Sequence, residues 1–123
     1  MSGRWLPALL AATLGLLLSF GQAQAHALLL RTDPTANQSL TTAPTSVSLW
    51  FSEPVEVEPD AIVITDAAGK RFDAANAQVS RDDVTKVTVG LKSLGQGGYT
   101  VRWRVISVDT HVVAGAFQFG VGV

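Results

Sequence analysis

Between Gly98 and Ile106 the chain alternates strictly: Tyr99, Val101, Trp103 and Val105 are interleaved with Thr100, Arg102, Arg104 and Ile106. A period of two places successive side chains on opposite faces of an extended backbone, so this stretch is a strand with one apolar face. The same pattern recurs in shorter form. Val47, Leu49 and Phe51 alternate with Ser46, Ser48, Trp50 and Ser52, and Val87, Val89 and Leu91 with Lys86, Thr88 and Gly90. Phe117, Phe119 and Val121 alternate with Gln118 and Gly120, and Ala61 to Thr65 is short and β-branched. Turn signals separate these runs, at Asp33-Pro34, Ala43-Pro44, Glu53-Pro54, Glu58-Pro59, Asp66 to Gly69, and Gly95 to Gly98. No helical periodicity follows residue 25. The expectation is an all-β domain, an antiparallel sandwich or small barrel of about seven strands.

The alternating strands around an inward tryptophan resemble an immunoglobulin-like sandwich. The inter-sheet disulfide of that fold cannot form, because the chain has no cysteine. That absence also removes cysteine zinc sites, iron–sulfur ligation and thiol catalysis. Stability must come from the core, which a domain of about 100 residues can supply. There is no internal repeat, low-complexity tract or linker.

The amino-terminal quarter has a different character. Arg4 precedes a nearly continuous apolar run from Leu6 to Phe20, and Ala23-Gln24-Ala25 follows. A basic start, an apolar segment and an A-x-A site form a secretory signal peptide. An uncleaved anchor is the competing reading, but a span needs about 20 apolar residues and this run is shorter and holds Pro7. We therefore divide the chain into residues 1–25, a signal peptide, and residues 26–123, one exported β-domain that is not membrane-embedded. Residues 1–25 contain one of the nine Lys/Arg and none of the ten Asp/Glu, so the exported part carries a net charge of −2. It has no basic surplus for nucleic acid.

Cleavage after Ala25 would make His26 the first residue. Its free α-amine and its imidazole Nδ1 could then close a six-membered chelate ring on a metal ion. The only other histidine, His111, stands two residues after Asp109 in Ser107-Val108-Asp109-Thr110-His111. If that segment is extended, residues i and i+2 point the same way and both side chains reach one ion. The resulting set of amine, two imidazoles and a carboxylate suits tetragonal Cu(II). The single methionine is Met1, so no sulfur is available for Cu(I). Zn(II) competes for the same ligands. Cleavage after Ala23 would dismantle the set, and Asp-x-His alone is commonly a turn or a solvated pair.

From His26 onward the chain resembles the CopC-like family of periplasmic copper-resistance proteins. The resemblance rests on His26 to Leu30 with Asp33-Pro34, on Trp50 to Val55, on Gly98 to Val105, on Ser107 to His111, and on Gly115 to Phe119. It implies a Greek-key β-sandwich or barrel holding Cu(II) through His26, Asp109 and His111. It also implies a carboxylate near the site, which Glu53 would supply if it does more than open the Glu53-Pro54 turn. The methionine-rich Cu(I) loop of some members is missing, which points to the Cu(II)-only subgroup. The function implied is periplasmic copper homeostasis by a non-catalytic buffer or carrier. The partner implied is an inner-membrane copper transporter of the CopD type; the membrane domain fused to some relatives is not seen. Two other classes stay open: a histidine-brace copper oxygenase, and an exported immunoglobulin-like interaction module without metal. Arg102 and Arg104 read as a solvated strand face, as a dock for an acidic partner, or as props for Asp109 and Glu53.

Overall fold

The computed structural model describes residues 26–123. The signal-peptide reading of residues 1–25 lies outside the described residues. Nine strands follow in order: β1 (Leu29–Asp33), β2 (Ser39–Leu40), β3 (Ser46–Phe51), β4 (Val55–Glu56), β5 (Ile62–Asp66), β6 (Gln78–Val79), β7 (Lys86–Gly90), β8 (Gly97–Ser107) and β9 (Val112–Val121). They form two sheets. One has the order β1-β3-β7-β6, and the other runs β2-β9-β8-β4 with β5 also on β8. All pairings are antiparallel except the two-residue contact of β2 with β9. This is the all-β sandwich the alternation predicts. Six strands are long and three (β2, β4 and β6) have two residues each. Among the described residues no helix is long and apolar enough to cross a membrane.

The alternating residues face each other across the sandwich. Val47, Leu49 and Phe51 of β3, with Val87 and Val89 of β7, pack against Ile62, Ile64, Val101, Trp103 and Val105. Burying each such side chain contributes about 1.5–3 kcal/mol. Phe51 meets the Trp103 ring edge to face at 5.4 Å between centroids. Tyr99 stacks on Phe119 and donates its hydroxyl to the Gly95 carbonyl at 2.7 Å, four residues upstream. Polar groups inside are paired: Asp73 takes the Arg71 guanidinium at 2.7 Å and the Ile64 N–H, and Ser48 bonds Thr88. Trp50 lies on the outer face, half-buried between the cations of Arg31 and Lys86, 3.8 and 5.0 Å from its ring centroid.

Two strands differ from expectation. β1 has no alternation because it is an edge strand whose register slips between Leu29 and Arg31. Such a bulge breaks the period of two. β9 starts five residues earlier than its aromatic pattern suggests, since Val112 to Ala116 is built of valine and small residues. Gly115 is required there: a Cβ would lie 2.6 Å from Trp103 Cζ2. The tryptophan ring therefore covers the glycine of the paired strand.

Candidate metal centre

The two ends of the candidate site arrive on different sheets. His26 stands three residues ahead of β1, and the segment behind it is clasped to the end of β3. Leu28 N–H donates to Ser52 Oγ at 2.9 Å, Ser52 N–H donates to the Leu28 carbonyl at 2.8 Å, and Ala27 between is fully buried. Asp109 and His111 belong to the connection from β8 to β9. The extended conformation expected for this segment is not what the chain adopts. Residues 108–110 form a tight hairpin turn in which Thr110 N–H donates to the Ser107 carbonyl and Ser107 N–H to the His111 carbonyl, both at 2.9 Å. Thr110 sits at φ 70°, a left-handed conformation that β-branched residues rarely take. The two candidate side chains thus converge because the backbone reverses, not because of strand alternation.

The carboxylate of Asp109 divides its two oxygens between two tasks. Oδ1 accepts the Ser107 hydroxyl and the His111 N–H, the latter at 3.1 Å. Oδ2 faces both imidazoles, 2.9 Å from His26 Nδ1 and 3.1 Å from His111 Nδ1. The Ser107 hydroxyl first, then the His111 ring and backbone N–H, hold the Asp109 carboxyl far below the usual carboxylate range, against a smaller desolvation penalty. The carboxylate is therefore ionised and oriented before any cation arrives.

His26 Nδ1 is shielded from solvent and, although close to Oδ2, is not aligned to hydrogen-bond it. A buried polar atom without a partner is uncommon and asks for a ligand. The two rings meet edge to face with centroids 4.8 Å apart. One donor atom from each of His26, Asp109 and His111 lies within 4.8 Å of the others. His111 is 69% exposed, so the cluster opens to solvent on that side. The sequence-derived trio is brought together as a set of two nitrogens and one oxygen, the donor types that take borderline divalent cations.

Glu53 is not part of this cluster. Its backbone lies between Ser52, which clasps Leu28, and Val55, which pairs with Ser107, so it borders both segments that carry the candidate donors. Arg102 and Arg104 do not prop Asp109: the basic side chains within 4.0 Å of its carboxylate are the two histidines. Both arginines point outward from β8. The residue that spacing alone did not single out is Ser107. Its signal was its place at the end of the longest strand, where an inward serine closes an otherwise apolar row.

Comparison with known proteins identifies the family of this domain. The CopC domain model matches residues 29–122. Copper transport protein CutJ of Bacillus subtilis is 33% identical over 99 residues, covering 80% of this chain and 18% of CutJ, so the chain spans under a fifth of that relative. The crystal structure of CopC from Methylosinus trichosporium OB3b superposes with a TM-score of 0.70 at 33% identity, covering 78% of this chain and 93% of that one. The crystal structure of PcoC, a methionine-rich copper resistance protein from Escherichia coli, gives 0.64 at 27% identity, covering 79% and 99%. On the strength of a family match that runs over almost every described residue, the chain belongs to the CopC domain family of copper resistance and transport proteins.

Proposed function

We propose that this is a periplasmic Cu(II)-binding protein that buffers copper or carries it to a membrane transporter of the CopD type, and that it is not an enzyme. The single observation carrying the reading is the convergence of His26 Nδ1, His111 Nδ1 and Asp109 Oδ2. Ligands about 2.0 Å from a central ion stand about 2.8 Å apart along the edges of a square. The separations of 2.9 and 3.1 Å from Oδ2 to the two nitrogens suit donors around one ion, lying between that edge and the about 3.3 Å of a tetrahedron, so the preference for Cu(II) rests on the donor types. An α-amine freed by cleavage after Ala25 would supply a fourth donor beside His26 Nδ1, because a six-membered chelate closes through Nδ1 and not through Nε2.

Four filled corners of N and O donors favour Cu(II) over softer Cu(I). Unlike PcoC, described as methionine-rich, residues 26–123 of this chain contain neither methionine nor cysteine. With the plane filled, the ion is held for transfer more readily than it activates a substrate. Intact mass of the exported protein should place its first residue at His26, and electron paramagnetic resonance should show one tetragonal Cu(II) with nitrogen hyperfine structure. His26→Ala, or N-acetylation of the exported chain, should abolish that signal. Undiminished binding by either form would overturn the proposal. Because protons compete for the imidazoles, affinity should also fall as pH drops through about 6 to 5.

A further inference from the structure

The edge of β9 is open. β2 covers only Gly120 and Val121, and the Asn37 N–H reaches as far as the Gln118 carbonyl. The β8–β9 register runs without a slip from Val112 to Val121. In an antiparallel pair, successive residues turn their N–H and C=O groups to alternate sides. Gln118 and Gly120 face β2, so Val112, Ala114 and Ala116 turn theirs the same way, and among the described residues nothing pairs with them. Proteins normally guard such edges with charge, proline or a bulge. Val112–Val121 has none of these.

One strand in from this edge, Arg104 lies opposite Ala114 and Arg102 opposite Ala116. Both arginines are exposed, and among the described residues neither has a carboxylate within ion-pair distance; Arg102 touches Thr65 Oγ1 at 3.4 Å, and Arg104 borders a hollow it shares with Glu56, Glu58 and Asp60. The alanines between them and the edge are too short to block their reach. A strand added to β9 would run about 9–10 Å from β8, a gap that an arginine and a facing carboxylate side chain close between them. A second copy fits poorly. Twofold pairing would bring the arginine pairs of both copies onto one face, and so few free residues bury far less than the about 800 Å² per partner of a stable interface.

We propose that the Val112–Ala116 edge of β9 is a docking site for an extended segment of a partner protein, added as a further antiparallel or parallel strand, with acidic residues two apart paired to Arg102 and Arg104. The segment would lie within about 10 Å of His111, given a rise of about 3.4 Å per residue. The inference rests on the backbone and the arginines and does not require copper at the site.

The test uses metal-free, isotope-labelled protein and two short acetylated peptides, one alternating Thr with Glu and one alternating Thr with Lys. At saturation the Glu peptide should slow amide exchange at Val112, Ala114 and Ala116 at least about tenfold, and the Lys peptide should not. The double variant Arg102→Glu/Arg104→Glu should reverse the preference. Ala114→Pro deletes one outward N–H, a change an edge strand tolerates, and should abolish protection while the rest of the amide spectrum is retained. Protection by neither peptide, equal protection by both, or slow exchange without peptide accompanied by a doubled sedimentation mass would overturn the proposal; the last outcome would assign the edge to a second copy.

Discussion

Ser107→Ala separates the orientation of the proposed metal-binding carboxylate, Asp109, from its charge. Ser107 is buried, and its hydroxyl is one of two donors on Asp109 Oδ1, the other being the His111 N–H at 3.1 Å. Oδ2, the oxygen that meets the imidazoles, receives neither. Removing the hydroxyl leaves the charge and all three donor atoms in place but frees the carboxylate to rotate about one remaining anchor. Losing a group that orients a ligand typically costs about 10–100-fold in metal affinity. Because the backbone donor persists, the effect should lie nearer tenfold. The hairpin itself should survive, since the Ser107 N–H still donates to the His111 carbonyl at 2.9 Å. Competition with a chromophoric chelator at neutral pH measures the affinity. Carboxyl resonances of the metal-free protein report the second consequence: the Asp109 titration should move up toward the ordinary value of about 3.9, because Ser107 is the largest influence holding it down. Asp109→Asn, which removes the charge as well, should lose more. Copper binding within twofold of the unaltered protein, with Asp109 titrating where it did before, would refute the division of labour between the two oxygens.

Three further outcomes follow from the same coordinates. Gly115→Ala should destabilise by about 1–3 kcal/mol and lower Tm by about 4–8 °C per kcal/mol, because its Cβ would meet the Trp103 ring at 2.6 Å; Trp103→Phe in the same chain should recover part of the loss, and thermal melts of the four proteins measure it. Thr110→Gly should be nearly neutral, since relief of about 1–2 kcal/mol of left-handed strain offsets the about 0.5–1 kcal/mol that glycine costs; a fall in Tm above about 8 °C would mean that Thr110 is extended. In metal-free protein, Asp83 is held low by the Thr85 hydroxyl and N–H, and Asp73 by Arg71 and the Ile64 N–H, which together outweigh its desolvation. With Asp109 these are carboxyls whose folded values lie below their unfolded ones, so the unfolded state binds more protons as acid is added. Their stabilisation should be complete above about pH 5 and be lost as pH falls below about 4; a Tm unchanged to pH 3 would contradict it.

Much of this molecule was legible along the chain because its long central strand is inward-facing at every second residue. Tyr99, Val101, Trp103 and Val105 announce both the sandwich and its core, and β3, β5 and β7 follow the same rule. β1 and the first half of β9 were hidden for opposite reasons. One carries a bulge that destroys the period, and the other passes from two valines into Ala-Gly-Ala, small residues with little strand preference, one of which is glycine because Trp103 occupies the place of its side chain. The same weak signal concealed the open edge: two alanines flanking a glycine are unremarkable until the register sets them beside two arginines that, among the described residues, have no ion-pair partner.

The sequence by itself determined the donor types available to a metal, since with two histidines and no sulfur after Met1 only nitrogen and oxygen can bind it. It also singled out His26 and His111, the two histidines, and Asp109, picked from ten carboxylates by its Asp-x-His spacing and by the family resemblance. Tertiary structure alone decided how they meet. Their convergence depends on a local reversal at Thr110 and on the Leu28–Ser52 clasp that delivers His26 from the opposite sheet; the clasp joins residues distant in sequence, and neither feature is encoded by strand periodicity. It likewise decided which oxygen of Asp109 faces the histidines, since side-chain orientation at a loop is set by the backbone bonds that close it.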